Sequence, residues 1–226
     1  MSKKRVVIKL SGSIFNLESP SIIKKYARML IKIQNEVQPI IITGGGKIAR
    51  NYINIARDLG YDESSLDLMG IDVSRLNAKL LISALTSYAY PKVPQTLEDV
   101  SKFSESNKII ISGGLHPGQS TNATSALIAE KVRAIKFINA TDVNGIYDSD
   151  PRKNENAKLF KKIDLKTCLK ILIKGSSMAG EYDLMDIVAL KIIQRSHIDT
   201  RVILSTPQNI VNVVQSNPYI GTKIIF

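Results

Sequence analysis

The chain is 226 residues long, 44% hydrophobic and formally charged +11, with one cysteine and two histidines. A single cysteine excludes an intrachain disulfide and a cysteine-based zinc cluster, and two histidines alone do not build a metal centre. The basic balance admits nucleic acid, anionic surfaces or phosphorylated metabolites, but Lys and Arg are scattered, only 6% of residues are aromatic and none is Trp, so base-stacking platforms are scarce and small phosphorylated ligands are favoured over nucleic acid.

Met1-Ser2-Lys3-Lys4-Arg5 is basic, yet the apolar stretch behind it is only a strand long. It reads as neither a signal peptide nor a membrane span, and a reducing cytoplasm suits the lone Cys168. Arg5–Leu10 is expected as the first strand and runs into Ser11-Gly12-Ser13. Apolar spacing at Ile22, Ile23, Tyr26, Leu30 and Ile33 predicts a helix over 20–34, with Pro20 in its first turn. A second strand over 39–43 enters Gly44-Gly45-Gly46, and a helix over 46–59 stops at Gly60. Residues 64–85 read as a long helical stretch broken or bent near Gly70. Thr96 and Asp99 have the spacing of a capping box for a short helix over 97–104.

A strand over 108–112 ends in Gly113-Gly114, followed by a polar loop over 115–122 and a helix over 123–132. A strand over 134–140 leads into a turn-rich segment, 141–151. Helices are expected over 163–173, 182–196 and 208–214, strands over 201–204 and 222–226, and a small-residue loop over 174–180. This β-α alternation argues for an α/β three-layer α/β/α sandwich with a mostly parallel central sheet. Ligands of such sheets sit beyond the C-terminal strand ends, where the turns after Leu10, Thr43, Ser112 and Ala140 all fall.

Those turns carry the chemistry. No Walker-type G-x-x-x-x-G-K-[ST], no G-x-G-x-x-G after the first strand and no protein-kinase motif set is present. Lys9 sits near the end of an otherwise apolar strand beside Ser11-Gly12; a buried ammonium needs an opposite charge, which nucleotide phosphate supplies, with a strand-end lysine snorkelling to water as the alternative. Gly44-Gly45-Gly46 fits a turn cleared for phosphate, with close helix–strand packing as the alternative. Arg50 follows one helical turn later. Asp67 reads either as a helix-surface carboxylate or as an acceptor for a ribose hydroxyl. The stretch around Thr141, Asn144, Tyr147 and Asp150 offers polar contacts and a ring for a base, with an Asx-rich structural loop as the alternative.

The set Ile8-Lys9-Leu10-Ser11-Gly12, Gly44-Gly45-Gly46 with Arg50, the loop 113–121, and Ala140-Thr141 through Gly145-Ile146-Tyr147 with Asp150-Pro151 resembles the amino-acid-kinase superfamily over essentially the whole chain. Within it, the pattern is most similar to the uridylate (UMP) kinases of the archaeal type. The resemblance implies one domain over 1–226, with an acceptor half over about 1–133 and an ATP half over about 134–226. It implies phosphorylation of UMP by Mg²⁺-ATP, and a homo-oligomer, a hexamer built from dimers.

By the same resemblance, Lys9, Leu10, Gly45, Arg50, Thr141, Tyr147 and Asp150 would bind ATP. Gly44, Asp67 and the run Leu115, His116, Pro117, Gly118, Gln119, Ser120 and Thr121 would bind UMP. Lys9, Gly12 and Asp142 would act in catalysis, and no dedicated protein metal site is expected. Asp142 stands where bacterial uridylate kinases carry a lysine, and would orient Lys9 or bind metal. Lys174-Gly175-Ser176-Ser177 does not match the late lysine of the carboxylate-phosphorylating members. Lys47-Ile48-Ala49-Arg50 lacks the histidine that isopentenyl phosphate kinases place after the glycine turn. A nucleic-acid-binding regulator on the same scaffold is the rival from another class, distinguished by steep salt-dependent duplex binding.

Overall fold

Residues 3–16, 20–175 and 185–226 are described by a computed structural model. Seven strands form one sheet: β1 (Arg5–Leu10), β2 (Gln38–Thr43), β3 (Ile110–Ser112), β4 (Lys136–Thr141), β5 (Lys162–Asp164), β6 (Asp199–Leu204) and β7 (Thr222–Ile225). Their order is β3-β2-β1-β4-β6-β7-β5. The pairs β1–β2, β1–β4, β2–β3 and β4–β6 are parallel, β6–β7 is antiparallel, and β5 runs parallel to β7. Six-residue runs such as Gln38–Thr43, buried at every position, need helices over both sheet faces.

The helices are α1 (Pro20–Gln34), α2 (Gly46–Asp58), α3 (Glu63–Leu85), α4 (Leu97–Ser104), α5 (Thr121–Lys131), α6 (Leu165–Gly175), α7 (Ile187–Ser196) and α8 (Pro207–Val214). The two-residue period of β1 divides the core. Val6, Ile8 and Leu10 pack with Tyr26 and Leu30 of α1, Leu81 of α3 and Ile210 of α8. Val7 belongs to the opposite cluster, with Val100 of α4, Ala126 of α5, Cys168 of α6 and Leu190 of α7. The α2 helix buries little beyond Ala49 and Ala56 and lies against α3.

Several boundaries differ from the sequence expectation. The α3 helix runs unbroken through Gly70; a Cβ there would sit 3.3 Å from Ile53 of α2, so the missing side chain admits the neighbouring helix and does not end its own. The α5 helix starts at Thr121 because Ser120 accepts a hydrogen bond from the Ala123 N–H, which places Thr121 and Asn122 in the first turn. Ile163, expected in a helix, lies in β5, a strand of three residues and too short to display an alternation. The α7 helix begins after its cap Asp186, later than the expected residue 182, and residues 182–184 lie outside the described chain. Of the expected loop 174–180, residues 174–175 end α6 and 176–180 lie outside the described residues. The capping box of α4 has the expected partners, Thr96 and Asp99.

Candidate active site

Two turns meet where β1 and β2 end. Ser11 leads into a 3-10 turn, Gly12–Phe15, and Gly44-Gly45 lead into α2. The Gly44 N–H donates to the Leu10 carbonyl at 3.2 Å. A Cβ on Gly12 would lie 2.1 Å from the Gly46 nitrogen, and one on Gly46 2.4 Å from the Gly12 carbonyl oxygen. Gly46 also has φ +67°, a conformation that side chains disfavour. The turns therefore touch backbone to backbone, so close packing, the alternative reading of these glycines, is itself a requirement here. Contact between the turns fixes the floor on which a phosphate could rest.

Helix α3 pins this floor from below. The Asn77 amide donates to the Gly44 carbonyl at 2.8 Å. The Thr43 hydroxyl donates to the Ser74 carbonyl at 2.8 Å, and the Ser74 hydroxyl accepts from the Gly114 N–H at 2.8 Å. Arg75 donates from Nε to the Gly114 carbonyl at 3.1 Å and from Nη2 to the Leu115 carbonyl at 3.3 Å. One helix thus holds the turn after β2 and the turn after β3 in a fixed relation.

Above this floor lies a cleft of about 300 Å³ lined by Lys9, Ser11, Gly12, Ser13, Gly44, Gly45, Gly46, Arg50, Thr121, Thr141, Asp142, Val143 and Arg152. A second cavity of about 240 Å³ adjoins it, lined by Asp67, Gly70, Ile71, Ser74, Gly114 and Gln119, among others. The two share Gly45, Gly46, Arg50 and Thr121. Gly46 and Thr121 are the first residues of α2 and α5, so two helix N-termini, with their unpaired N–H groups and partial positive charge, face the shared wall. Lys9, Arg50 and Arg152 add three cationic side chains to the first cleft. In the second cavity, the buried Oε1 of Gln119 has no hydrogen-bond partner among the described residues, as expected of an acceptor that meets a ligand donor.

Comparison with known proteins shows the family. The profile of the Amino acid kinase family matches residues 4–204. A uridylate kinase of Archaeoglobus fulgidus is 40% identical over 220 residues, covering 97% of this chain and 99% of that protein. One from Methanoregula boonei is 43% identical over 213 residues, covering 93% and 91%. The crystal structure of the Archaeoglobus fulgidus uridylate kinase superposes with a TM-score of 0.89 at 38% identity, covering 97% of this chain and 99% of that one. The chain belongs to the amino acid kinase family, and within it to the uridylate kinases.

Against that family, the expected site residues divide into three groups. Lys9, Gly12, Gly44, Gly45, Arg50, Thr121, Thr141 and Asp142 line the first cleft, and Asp67 and Gln119 line the second. Others support the walls. Leu10 and Leu115 point into the two core clusters, so only their backbone is available to a ligand. The Asp67 carboxylate accepts from the Gly118 N–H at 2.7 Å, tying the exposed His116-Pro117-Gly118 loop to α3. The Ser120 hydroxyl caps α5 and donates to Asp186, the cap of α7. Tyr147 makes an antiparallel bridge to Leu159.

Asp150 forms the third group: it faces a side chain that sequence reasoning missed. Its Oδ1 accepts from the Arg152 N–H at 3.0 Å and from Nε at 2.9 Å, and Oδ2 accepts from Nη2 at 2.8 Å. The Arg152 hydrogen bond holds the Asp150 carboxyl below the usual Asp range. Ser74, Arg75 and Asn77 were also missed. Their signal was polar side chains at core-facing positions of α3; Ser74 and Asn77 are both buried.

Proposed function

We propose that the chain transfers the terminal phosphoryl group of ATP to UMP, giving ADP and UDP. The observation that carries this reading is the pair of adjoining cavities sharing Gly45, Gly46, Arg50 and Thr121, which lets donor and acceptor phosphates meet across one wall. The cavity with Asp67 and Gln119 takes UMP, with Gly114 and Thr121 at its wall, and Gly44, which lines the first cleft, reaches the UMP phosphate from the donor side. The cleft with Lys9, Thr141 and Asp142 takes the ATP phosphates, and Tyr147 and Asp150 border the adenosine side. Thus the acceptor lies toward the N-terminal half of the chain and the donor toward the C-terminal half.

A UMP phosphate oxygen is already anionic at neutral pH, so transfer requires no general base. Positioning and charge neutralisation carry the rate. Lys9, Arg50 and the N–H groups at the starts of α2 and α5 surround the place where charge spreads over the transferred group. Among the described residues, no three His, Cys, Asp or Glu side chains gather into a metal site. Mg²⁺ in phosphoryl-transfer sites is held by one or two carboxylates together with substrate phosphates and water. The Asp142 side chain, 60% exposed at the cleft, would hold it, and Mg²⁺ would supply neutralisation of phosphate charge.

No helix of the described residues is long and apolar enough to cross a membrane, and we place the reaction in the cytoplasm. We assign the exposed apolar side chains of α2 and α3, among them Tyr52, Ile55, Leu76 and Leu80, to contacts between copies in a homo-oligomer, a hexamer built from dimers. The two-cavity reading is tested with a bisubstrate analogue in which uridine and adenosine are joined by a polyphosphate. Calorimetry is expected to give one analogue per chain and to show that it displaces both UMP and ATP. Displacement of ATP alone would remove UMP from the second cavity.

A further inference from the structure

Thr141 ends β4 and lines the cleft assigned to the donor. Its hydroxyl folds the following turn back, donating to the Val143 carbonyl at 3.1 Å and accepting from the Val143 N–H at 3.3 Å. Asp142 and Val143 line the same cleft. The turn is tied to the sheet by the Ser205 N–H, which donates to the Thr141 carbonyl at 2.7 Å, just past the register pair Thr141–Leu204 of β4 and β6. Ser205 is held in turn from α1. The Tyr26 hydroxyl donates to the Ser205 carbonyl at 2.6 Å and lies 3.3 Å from the Ser205 hydroxyl. Tyr26 is only 5% exposed, and it packs in the core cluster with Leu30 of α1 and Ile210 of α8. A phenylalanine ring would fill that space as well. A buried phenol needs a hydrogen-bond partner, so what distinguishes tyrosine here is the contact it makes at Ser205.

We infer that Tyr26 is a positioning residue for the donor site: through Ser205 it holds the turn Thr141–Val143 where the cleft takes the phosphates of ATP. Tyr26 itself touches no substrate. The inference rests on the donor assignment given above. Helix α3 pins the turns after β2 and β3, whereas α1, acting through the end of β6, pins the turn after β4. The two sides of the site are therefore braced by different helices, and loosening the Tyr26 contact weakens the donor side while leaving the acceptor side in place.

The test is calorimetric binding of ADP and, separately, of UMP to the wild-type chain, to Tyr26→Phe and to Ile33→Val, with thermal unfolding recorded for each. Ile33 is a fully buried core residue of the same helix, so its truncation lowers stability without removing a contact at Ser205. Losing one hydrogen bond is expected to weaken ADP by about threefold to tenfold in Tyr26→Phe, with UMP affinity within about twofold of wild type. Ile33→Val is expected to lower Tm and to leave ADP affinity within about twofold of wild type. Unchanged ADP affinity in Tyr26→Phe would overturn the inference. So would a parallel fall in ADP and UMP affinity that Ile33→Val reproduces, which would make Tyr26 a brace of the fold alone. If the wild-type chain bound no ADP, the donor assignment would fail and the inference with it; if it bound ADP and Tyr26→Phe matched it, the inference alone would fail.

Discussion

Lys9 is the penultimate residue of β1, between two buried positions, Ile8 and Leu10, and it lines the cleft. On the proposed role, its removal deletes charge stabilisation without disturbing the core. Lys9→Ala is expected to lower kcat by about a hundred- to a thousandfold with the unfolding midpoint nearly unchanged; near-normal turnover would take Lys9 out of the reaction. Gly46 has a different sensitivity. A methyl group there meets the Gly12 carbonyl at 2.4 Å and a positive φ, so Gly46→Ala is expected to cost about 2 kcal/mol or more of stability as well as activity, read by urea unfolding. Asp150 introduces a pH dependence. Because Arg152 lowers its folded pKa, its stabilising contribution is fully present above the ordinary Asp value of about 3.9 and is lost as the pH falls through the lower folded value. Asp150→Asn should therefore be less stable than wild type near neutrality, with the gap closing in acid; a constant gap would contradict the pairing. Lys9 and the glycines were legible in the sequence because each breaks a local pattern. Arg152 was not, since an arginine after Asp-Pro looks like any solvated loop cation.

Helix α3 is the element that turns separate loops into a site. Asn77 holds Gly44, Ser74 holds Gly114, and Arg75 holds the start of the loop after β3. Asn77→Ala would leave the Gly44 carbonyl without this buried donor, at a cost of about 1–3 kcal/mol. It is expected to raise the KM for both substrates, since both cavities share that floor; a rise for one substrate alone would show that the turns move independently. The pattern of α3 disclosed a long helix but suggested a break at Gly70, because a glycine inside a helix reads as weakness when the neighbour that needs its missing side chain is unseen. The short β5 was hidden for a related reason: three residues paired to β7 are fixed by a distant partner. By contrast, the α4 capping box was legible, since both of its halves lie within four residues.

At the scale of the molecule, the sheet order β3-β2-β1-β4 brings four parallel strand ends together, and the glycine turns collect there. That much followed from β-α alternation. The antiparallel β7 and its pairing with β5 did not, because strand direction at a sheet edge depends on how the chain returns. The same packing leaves Cys168 in the core, its thiol pushed up to about 12 by burial. A thiol-specific reagent at pH 8 is expected to leave the native protein unlabelled and to react after denaturation; rapid native labelling would mean that the α6 region opens. The acceptor is read out by ADP release from Mg²⁺-ATP with UMP, CMP, dUMP, isopentenyl phosphate and N-acetylglutamate compared side by side. Turnover is expected to be fastest with UMP and absent with isopentenyl phosphate and N-acetylglutamate. Turnover with either of those and none with UMP would show that the cavity holding Asp67 and Gln119 was built for another acceptor.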